Sequence, residues 1–324
     1  MKTDVAIVIV SYNSADHIGA CLESVFKNRR DVSQQVIVVD NDSKDDTVAF
    51  IRENFPEVEL VVPGRNLGFA AGVNLGAGMA DAEFILLLNP DTVIVDHAVD
   101  VVVEFARKHP GKGLYGGRTL QPDGSLEPSS CWGKPTLWSM AMFGLGFSTL
   151  FPKHPVFDPE ALGSWQRDSV REVGVVTGCF LLAPTEVWRE LGGFDERYFM
   201  YGEDADLAMR ARRAGYAPTI CPDARLIHEV GQCSDTPVHK LLLLYRGKAS
   251  YVRSHWSGMR RRLGLMLLLT GAGLRAMLAE LTGRGGEGRW QKLWRERHVW
   301  IQGYGGREAV SSAGTAENEP DFSR

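Results

Sequence analysis

The chain has 324 residues, 44% hydrophobic and 23% charged, which excludes a disordered polyelectrolyte and leaves room for a substantial core and two domains. The formal net charge of -4 is unevenly spread: residues 1–239 carry 21 Lys and Arg against 33 Asp and Glu, and residues 240–307 carry 14 against 3. The five cysteines (Cys21, Cys131, Cys179, Cys221 and Cys233) show no CxxC or Cys/His spacing suited to zinc, so free thiols in a reducing, cytosolic compartment are expected.

Residues 5–10 form a continuous β-branched run, as in a strand covered on both faces. One Lys precedes it and no cleavage site follows, so no signal peptide is expected. Ser14 or Asp16 then caps a helix through Ile18, Leu22, Val25 and Phe26. Residues 36–39 are a second buried strand, and Asp45-Asp46-Thr47 opens a helix through Phe50 and Ile51. A short strand at 60–62, a glycine-containing helix at 70–79 and a strand at 84–88 follow, the last stopped by Asn89-Pro90. A helix spans 97–109 and ends at Pro110-Gly111. This alternation predicts an α/β fold with a mainly parallel sheet flanked by helices.

After Tyr115 the texture changes, and the proline- and aromatic-rich stretch 120–170 reads as an insertion or active-site loop region. Strands at 173–176 and 179–182, a helix from Pro184 through Leu191, a helix after Glu203 and a short strand at 217–221 complete a domain over 1–235. Residues 236–310 read as a basic helical segment, and the small, acidic tail 311–324 reads as disordered. Within the basic segment, residues 263–274 form an apolar run of about 12 before Arg275 and Glu280 intervene, short of the ~20 a spanning helix needs. The run follows Arg260-Arg261-Arg262 and precedes Arg284, Arg289, Trp290, Lys292, Trp294, Arg295 and Arg297, a pattern suited to an anionic membrane surface. A core helix with a solvated basic face is the plainer alternative. No nucleic-acid-reading motif accompanies the charge, so no nucleic-acid partner is expected; oligomeric state is not legible.

Polar groups gather at three predicted strand ends: Ser11-Tyr12-Asn13, Asp40-Asn41-Asp42-Ser43 and Asn89-Pro90-Asp91-Thr92. In open α/β sheets ligands bind beyond such ends. Asp40 is suited to hydrogen-bond a base or ribose, and Asp91 to hold a divalent cation through oxygen, although turn and cap roles would also account for both. Residues 64–78 are glycine-rich and enter a helix, where backbone N–H groups favour anions, with Arg65 as a fixed positive charge. No P-loop is present. His228, at the end of an apolar run, is a candidate metal ligand.

Three carboxylates fall within four positions at Glu203, Asp204 and Asp206, directly after Phe199-Met200-Tyr201-Gly202. In a helix beginning there, Asp204, Leu207, Ala208 and Ala211 share one apolar, inward stripe. Asp206 falls on another face with Arg210 and Arg213, where a surface ion pair is expected. Asp204 therefore stands out as a cap or a working group.

Seven motifs in order, Val8-Ile-Val-Ser-Tyr-Asn13, Val38-Val-Asp-Asn-Asp-Ser43, Asn66-Leu-Gly-Phe69, Leu87-Leu-Asn-Pro-Asp91, Thr177-Gly-Cys-Phe180, Gly192-Gly-Phe-Asp-Glu196 and Tyr201-Gly-Glu-Asp-Ala-Asp-Leu207, resemble glycosyltransferase family 2. Within it the chain is most similar to the rhamnosyltransferase-like enzymes of bacterial cell-wall, O-antigen and capsule assembly. The resemblance covers roughly residues 3–235. It implies a GT-A fold, a nucleotide-diphosphate-sugar donor with dTDP-rhamnose foremost, Mg2+ or Mn2+, and inversion at the anomeric carbon. It also implies a saccharide or polyprenyl-diphosphate-linked acceptor, and the cysteine usage and basic carboxyl-terminal segment predict a cytoplasmic, membrane-peripheral location. The donor side would comprise Ser11, Tyr12, Asn13, Asp40, Asn41, Arg65, Asn66, Gly68, Asn89 and Asp91, with Asp40 on the nucleoside. Asn89 replaces the first acid of the family's metal motif, which leaves Asp91 and His228 as implied metal ligands. Asp204 matches the general base, and Glu203, Thr177 and Gly178 would lie on the acceptor side. A sugar-1-phosphate nucleotidyltransferase and a non-catalytic sugar-nucleotide-binding protein are the competing readings. The first would need a glycine-rich basic segment where Ser11-Tyr12-Asn13 stands.

Overall fold

The computed structural model describes residues 2–228, 237–282 and 288–305. Cys233, Arg284 and the tail expected to be disordered lie outside the described residues. The chain divides into two compact units, one comprising Met1–Lys134, Ser164–Phe194 and Asp204–Cys233, the other Pro135–Gly163, Asp195–Glu203 and Ser234–Arg324.

The first unit opens with β1 (Thr3–Ser11), α1 (Ala15–Lys27), β2 (Gln34–Asp40), α2 (Thr47–Asn54), β3 (Glu59–Val61), α3 (Phe69–Gly78), β4 (Ala82–Leu88), β5 (Thr92–Ile94), α4 (Ala98–Lys108) and β6 (Tyr115–Leu120). After β7 (Cys131–Trp132) the chain builds α5 (Leu137–Gly144) and α6 (Phe147–Leu150) of the second unit. It then returns with β8 (Arg171–Glu172), β9 (Val175–Val176), β10 (Phe180–Pro184), α7 (Thr185–Leu191), α8 (Glu203–Arg213) and β11 (Thr219–His228). The main sheet runs β3-β2-β1-β4-β10-β6-β11-β5, with β8 on β11. Parallel pairing joins β3, β2, β1 and β4, and also β6 and β11; β10 enters antiparallel between β4 and β6.

The β-branched run explains β1 at the centre of this array. Val5, Ile7 and Ile9 face the core formed with Ile18 and Leu22 of α1 and Val102 and Val103 of α4, all essentially inaccessible to solvent. Each such fully buried aliphatic side chain contributes about 1.5–3 kcal/mol. The opposite face of β1 receives α3 at unusually short range. A Cβ on Gly76 would lie 2.6 Å from Val8 Cγ1, and one on Gly72 3.1 Å from Val10 Cγ1. The inner glycines of the glycine-rich segment therefore serve helix-on-sheet packing, and the expected anion cradle narrows to the turn before α3.

Several strands differ from the sequence reading: β5 and β7 carried no strand expectation, β8 and β9 replace the single strand expected at 173–176, and β6 and β11 differ for local reasons. β6 was hidden because Gly116 and Gly117 interrupt its pattern, yet both are required there: a Cβ at Gly117 would sit 2.5 Å from the Ala224 carbonyl oxygen. β11 runs to His228 instead of ending at 221, through a register irregularity between Ile220 and Arg225 that absorbs Pro222-Asp223. Ser14 occupies the N-cap position of α1 but makes no side-chain cap; its hydroxyl donates to the Tyr12 carbonyl at 3.3 Å.

In the second unit, α5 packs on α10 (Gly258–Leu281), which follows α9 (Pro237–His255) and precedes α11 (Arg289–Arg295) and α12 (Arg297–Trp300). Small residues set the approach: a Cβ on Gly271 would lie 3.0 Å from Gly144 Cα. Part of the stretch expected to be a loop region thus forms helices of this unit. Arg275, which interrupts the apolar run in sequence, turns inward. Its guanidinium donates to the Phe143 carbonyl at 3.1 Å and lies over the Phe143 and Trp290 rings at 4.7 and 5.4 Å. By length and composition alone α10 is long enough to cross a membrane, with 28% of its most apolar window buried.

Candidate active site

The parallel register delivers the three polar strand ends to one edge. Ser11 pairs with Asp40 across β1 and β2, and Ile9 pairs with Leu88 across β1 and β4, so the residues that follow each strand emerge side by side. Asp40 is fully buried. One carboxylate oxygen accepts from the Ser43 amide at 2.9 Å; the other accepts from the Ser11 and Ser43 hydroxyls at 2.9 and 2.6 Å. Asp40, expected on the nucleoside, also organises the strand-end turn. Tyr12 is left exposed above it, and Asn13, in the left-handed region at φ 49°, accepts from the Lys44 amide at 2.7 Å.

Asn41 is buried and donates to the Gly68 carbonyl at 2.9 Å, while Asn66 accepts from the Gly68 amide at 2.8 Å. Gly68, at φ 79°, is the N-cap of α3, and this geometry requires glycine. Arg65 is exposed at the same turn.

The fold brings His228 to Asp91. β5 pairs antiparallel with β11, Thr92 opposite His228, and the His228 Nε2 lies 3.4 Å from Asp91 Oδ1. That oxygen is buried and makes no hydrogen bond of normal geometry, so the contact is one of charge rather than a formed bond. The other ring nitrogen lies 3.5 Å from Glu127 Oε2. Burial alone would lower the imidazole pKa, but the two flanking carboxylates outweigh it and hold it at about 9. Burial pushes the Glu127 carboxyl up, and His228 and Ser129 pull it below its ordinary range. Asn89 contributes its backbone: its carbonyl accepts from the Thr92 hydroxyl at 2.6 Å and its amide donates to the Cys179 carbonyl at 3.1 Å.

This donor set fits a hard divalent cation. It offers one unsatisfied carboxylate oxygen and, once a bound cation displaces its proton, one imidazole nitrogen, with a carboxylate behind the ring to fix the tautomer. Among the described residues no cluster of three or more His, Cys, Asp or Glu could hold a metal ion. That incomplete set suits an ion whose coordination is finished by substrate phosphates and water. Glu127 escaped the sequence reading because it lies in the proline-rich stretch and heads no motif; only its contact with His228 reveals it.

Asp204 joins the same region. The Cys179 thiol is buried, which pushes its pKa up, and the charges of Glu127, Asp91 and Asp204 add to the rise, to about 12. The charges of three carboxylates from distant parts of the chain thus reach one thiol. Asp204 sits in the first turn of α8, and its Oδ1 accepts from the Ala205 amide at 2.7 Å. Leu207, Ala208 and Ala211 are fully buried, as the stripe requires. Asp206 is a correction: it is not on the surface but 2% exposed, paired with the Arg210 Nε at 2.8 Å. The Arg210 guanidinium also donates to the Leu191 carbonyl at 2.5 Å, which makes this a structural pair inside the fold. Glu203 is buried at the head of α8. Thr177 donates its hydroxyl to the Ser129 carbonyl at 2.8 Å, and Gly178 packs under Phe69, where a Cβ would meet the ring at 3.0 Å.

A family model described as Glycosyl transferase family 2 matches residues 6–163. The N-acetylglucosaminyl-diphospho-decaprenol L-rhamnosyltransferase of Mycobacterium tuberculosis is 32% identical over 269 residues, covering 78% of this chain and 82% of that protein. The chain belongs to glycosyl transferase family 2. Rhamnosyltransferase WbbL of Escherichia coli K12 is 29% identical over 238 residues, with 69% of this chain and 83% of WbbL covered. The family 2 fold is shared with mannosyltransferase PcManGT from Pyrobaculum calidifontis, solved with GDP-Man and Mn2+. The TM-score is 0.53 at 16% identity, over 98% of this chain and 89% of that one. S. aureus TarS 1-349, solved with UDP-GlcNAc, gives a TM-score of 0.53 at 15% identity, over 95% and 83% of the two chains. The chain is a glycosyltransferase with a GT-A type α/β fold.

Proposed function

We propose that this glycosyltransferase moves L-rhamnose, with inversion, from dTDP-rhamnose to a polyprenyl-diphosphate-linked saccharide in cell-surface glycan assembly, with Mg2+ or Mn2+ as cofactor. The observation that carries the reading is His228 held between Asp91 and Glu127, at 3.4 and 3.5 Å, with the carboxylate of Asp204 at the head of α8. The relatives that transfer rhamnose support the donor, and the M. tuberculosis relative's name supports the acceptor class.

Asp91 and His228 would hold the ion, which when bound neutralises charge on the departing diphosphate. Tyr12 offers an exposed ring for the base, and Asp40 keeps the turn beside it rigid. Arg65 and the N-terminus of α3 favour the phosphates. The acceptor hydroxyl oxygen attacks the anomeric carbon opposite the diphosphate; the bond from that carbon to the diphosphate oxygen breaks, and dTDP leaves with the electron pair. Asp204 takes the hydroxyl proton. One displacement inverts the anomeric centre, and Glu203 helps orient the acceptor.

A screen of dTDP-rhamnose, UDP-galactose, UDP-N-acetylglucosamine and GDP-sugars, first by thermal shift and then by hydrolysis, tests the donor. dTDP-rhamnose should give the largest shift and be cleaved to dTDP. Preferential cleavage of a UDP- or GDP-sugar would reject the rhamnosyl assignment.

The sheet unit carries the chemistry, and α10 attaches the enzyme to the cytoplasmic face of an anionic membrane. Met259, Met266, Met277 and Leu281 are exposed at helical spacing on one face, and Arg260, Arg261 and Arg262 are exposed at its start. The full chain should float with phosphatidylglycerol-containing liposomes. A Met266→Asp/Met277→Asp variant of equal thermal stability should stay behind; equal flotation of the two would exclude this face.

A further inference from the structure

The turn that launches α8 is held by the carboxyl-terminal helices. Tyr201 and Gly202 have successive positive φ angles of 66° and 104°. A tyrosine in the left-handed region persists only where its surroundings fix it. The surroundings here lie within the second unit. Gly247 of α9 abuts the turn backbone to backbone: a Cβ at 247 would stand 2.0 Å from the Tyr201 carbonyl oxygen. Tyr304 donates its hydroxyl to the Met200 carbonyl at 2.5 Å, and its ring packs on Tyr198 with centroids 5.8 Å apart.

Tyr304 is itself anchored. Its amide donates to the Ser250 hydroxyl at 2.7 Å, the Arg246 guanidinium lies 4.6 Å over its ring, and Arg246 Nε donates to the Gly303 carbonyl at 3.3 Å. The Tyr304 hydroxyl thereby reaches the carbonyl of Met200, three residues before the head of α8.

We infer that Tyr304 and Gly247 are positioning residues: they fix the turn at 198–202 and so set the direction in which Glu203 and Asp204 leave it. This rests on the reading of Asp204 as the base. Loss of Tyr304 would then lower turnover for a reason unrelated to lipid.

Hydrogen–deuterium exchange on the full chain tests the restraint independently of activity. Tyr304→Phe keeps the ring and removes the hydroxyl; Gly247→Ala adds one carbon against the turn. Each should raise amide exchange across 199–206 by about 10-fold while the β1 and β4 segments stay unchanged. Unchanged exchange at 199–206 in both variants overturns the inference. With dTDP-rhamnose as substrate, kcat should fall about 10-fold or more. KM for the donor and the 1:1 stoichiometry of Mn2+–dTDP binding by calorimetry should hold, which separates misplacement from loss of folded protein. Faster exchange with normal kcat also overturns the positioning role, provided Asp204→Asn is inactive in parallel. If Asp204→Asn is itself fully active, the base reading fails instead, and the exchange result alone decides the restraint.

Discussion

Asp204→Asn should lower turnover by about 100-fold or more, the scale of losing a general base, while the affinity for Mn2+–dTDP stays within about two-fold. The substitution is nearly isosteric, and an Asn oxygen can still accept from the Ala205 amide as the Asp204 Oδ1 does at 2.7 Å. What it removes is the capacity to take a proton. Asp206 provides the contrast. It is buried and paired with Arg210, so Asp206→Asn acts on stability, by about 1–3 kcal/mol, through a weakened charge-assisted bond. A pair of variants two positions apart thus separates chemistry from folding. Turnover near normal in Asp204→Asn, measured at saturating donor, would remove Asp204 from the base role.

The second large effect is expected at the proposed metal ligands. Asp91→Ala removes the buried oxygen that has no hydrogen-bond partner, and dTDP affinity should then lose its dependence on Mn2+. Glu127→Gln leaves both ligands in place but weakens the partner that faces the far side of the His228 ring at 3.5 Å. Mn2+ affinity, read by electron paramagnetic resonance or calorimetry with dTDP present, should fall about 10–100-fold, as for other carboxylates behind a metal-binding imidazole. Binding of dTDP without metal should be unchanged in Glu127→Gln. If Mn2+ dependence survives in Asp91→Ala, the ion is held elsewhere.

Much of this architecture was legible in the residues, for physical reasons. β1, β2 and β4 are buried on both faces and read as uninterrupted apolar runs. β6 and β11 were lost or shortened because close backbone approach at Gly117 and an irregularity at Pro222-Asp223 override the apolar pattern. Periodicity placed Leu207, Ala208 and Ala211 inward correctly. It failed for Asp206, because a helical wheel cannot know that Arg210 follows a carboxylate into the interior to meet the Leu191 carbonyl. Asp40 was legible as a strand-end acid, but its burial under Ser11 and Ser43 depends on the turn geometry that only the fold supplies. Glu127 and Tyr304 carried no sequence signal. The role proposed for each rests on long-range contacts, with His228 for Glu127 and with Met200 and Tyr198 for Tyr304.

The most direct measurement is product analysis by mass spectrometry after incubating the full chain with dTDP-rhamnose, Mn2+ and a short polyprenyl-diphosphate-linked N-acetylglucosamine. The account predicts an acceptor heavier by one deoxyhexose residue, formed in step with dTDP and absent with Asp204→Asn. Bound dTDP-rhamnose with no product from wild type under these conditions, or release of pyrophosphate from dTTP and rhamnose 1-phosphate, would contradict it.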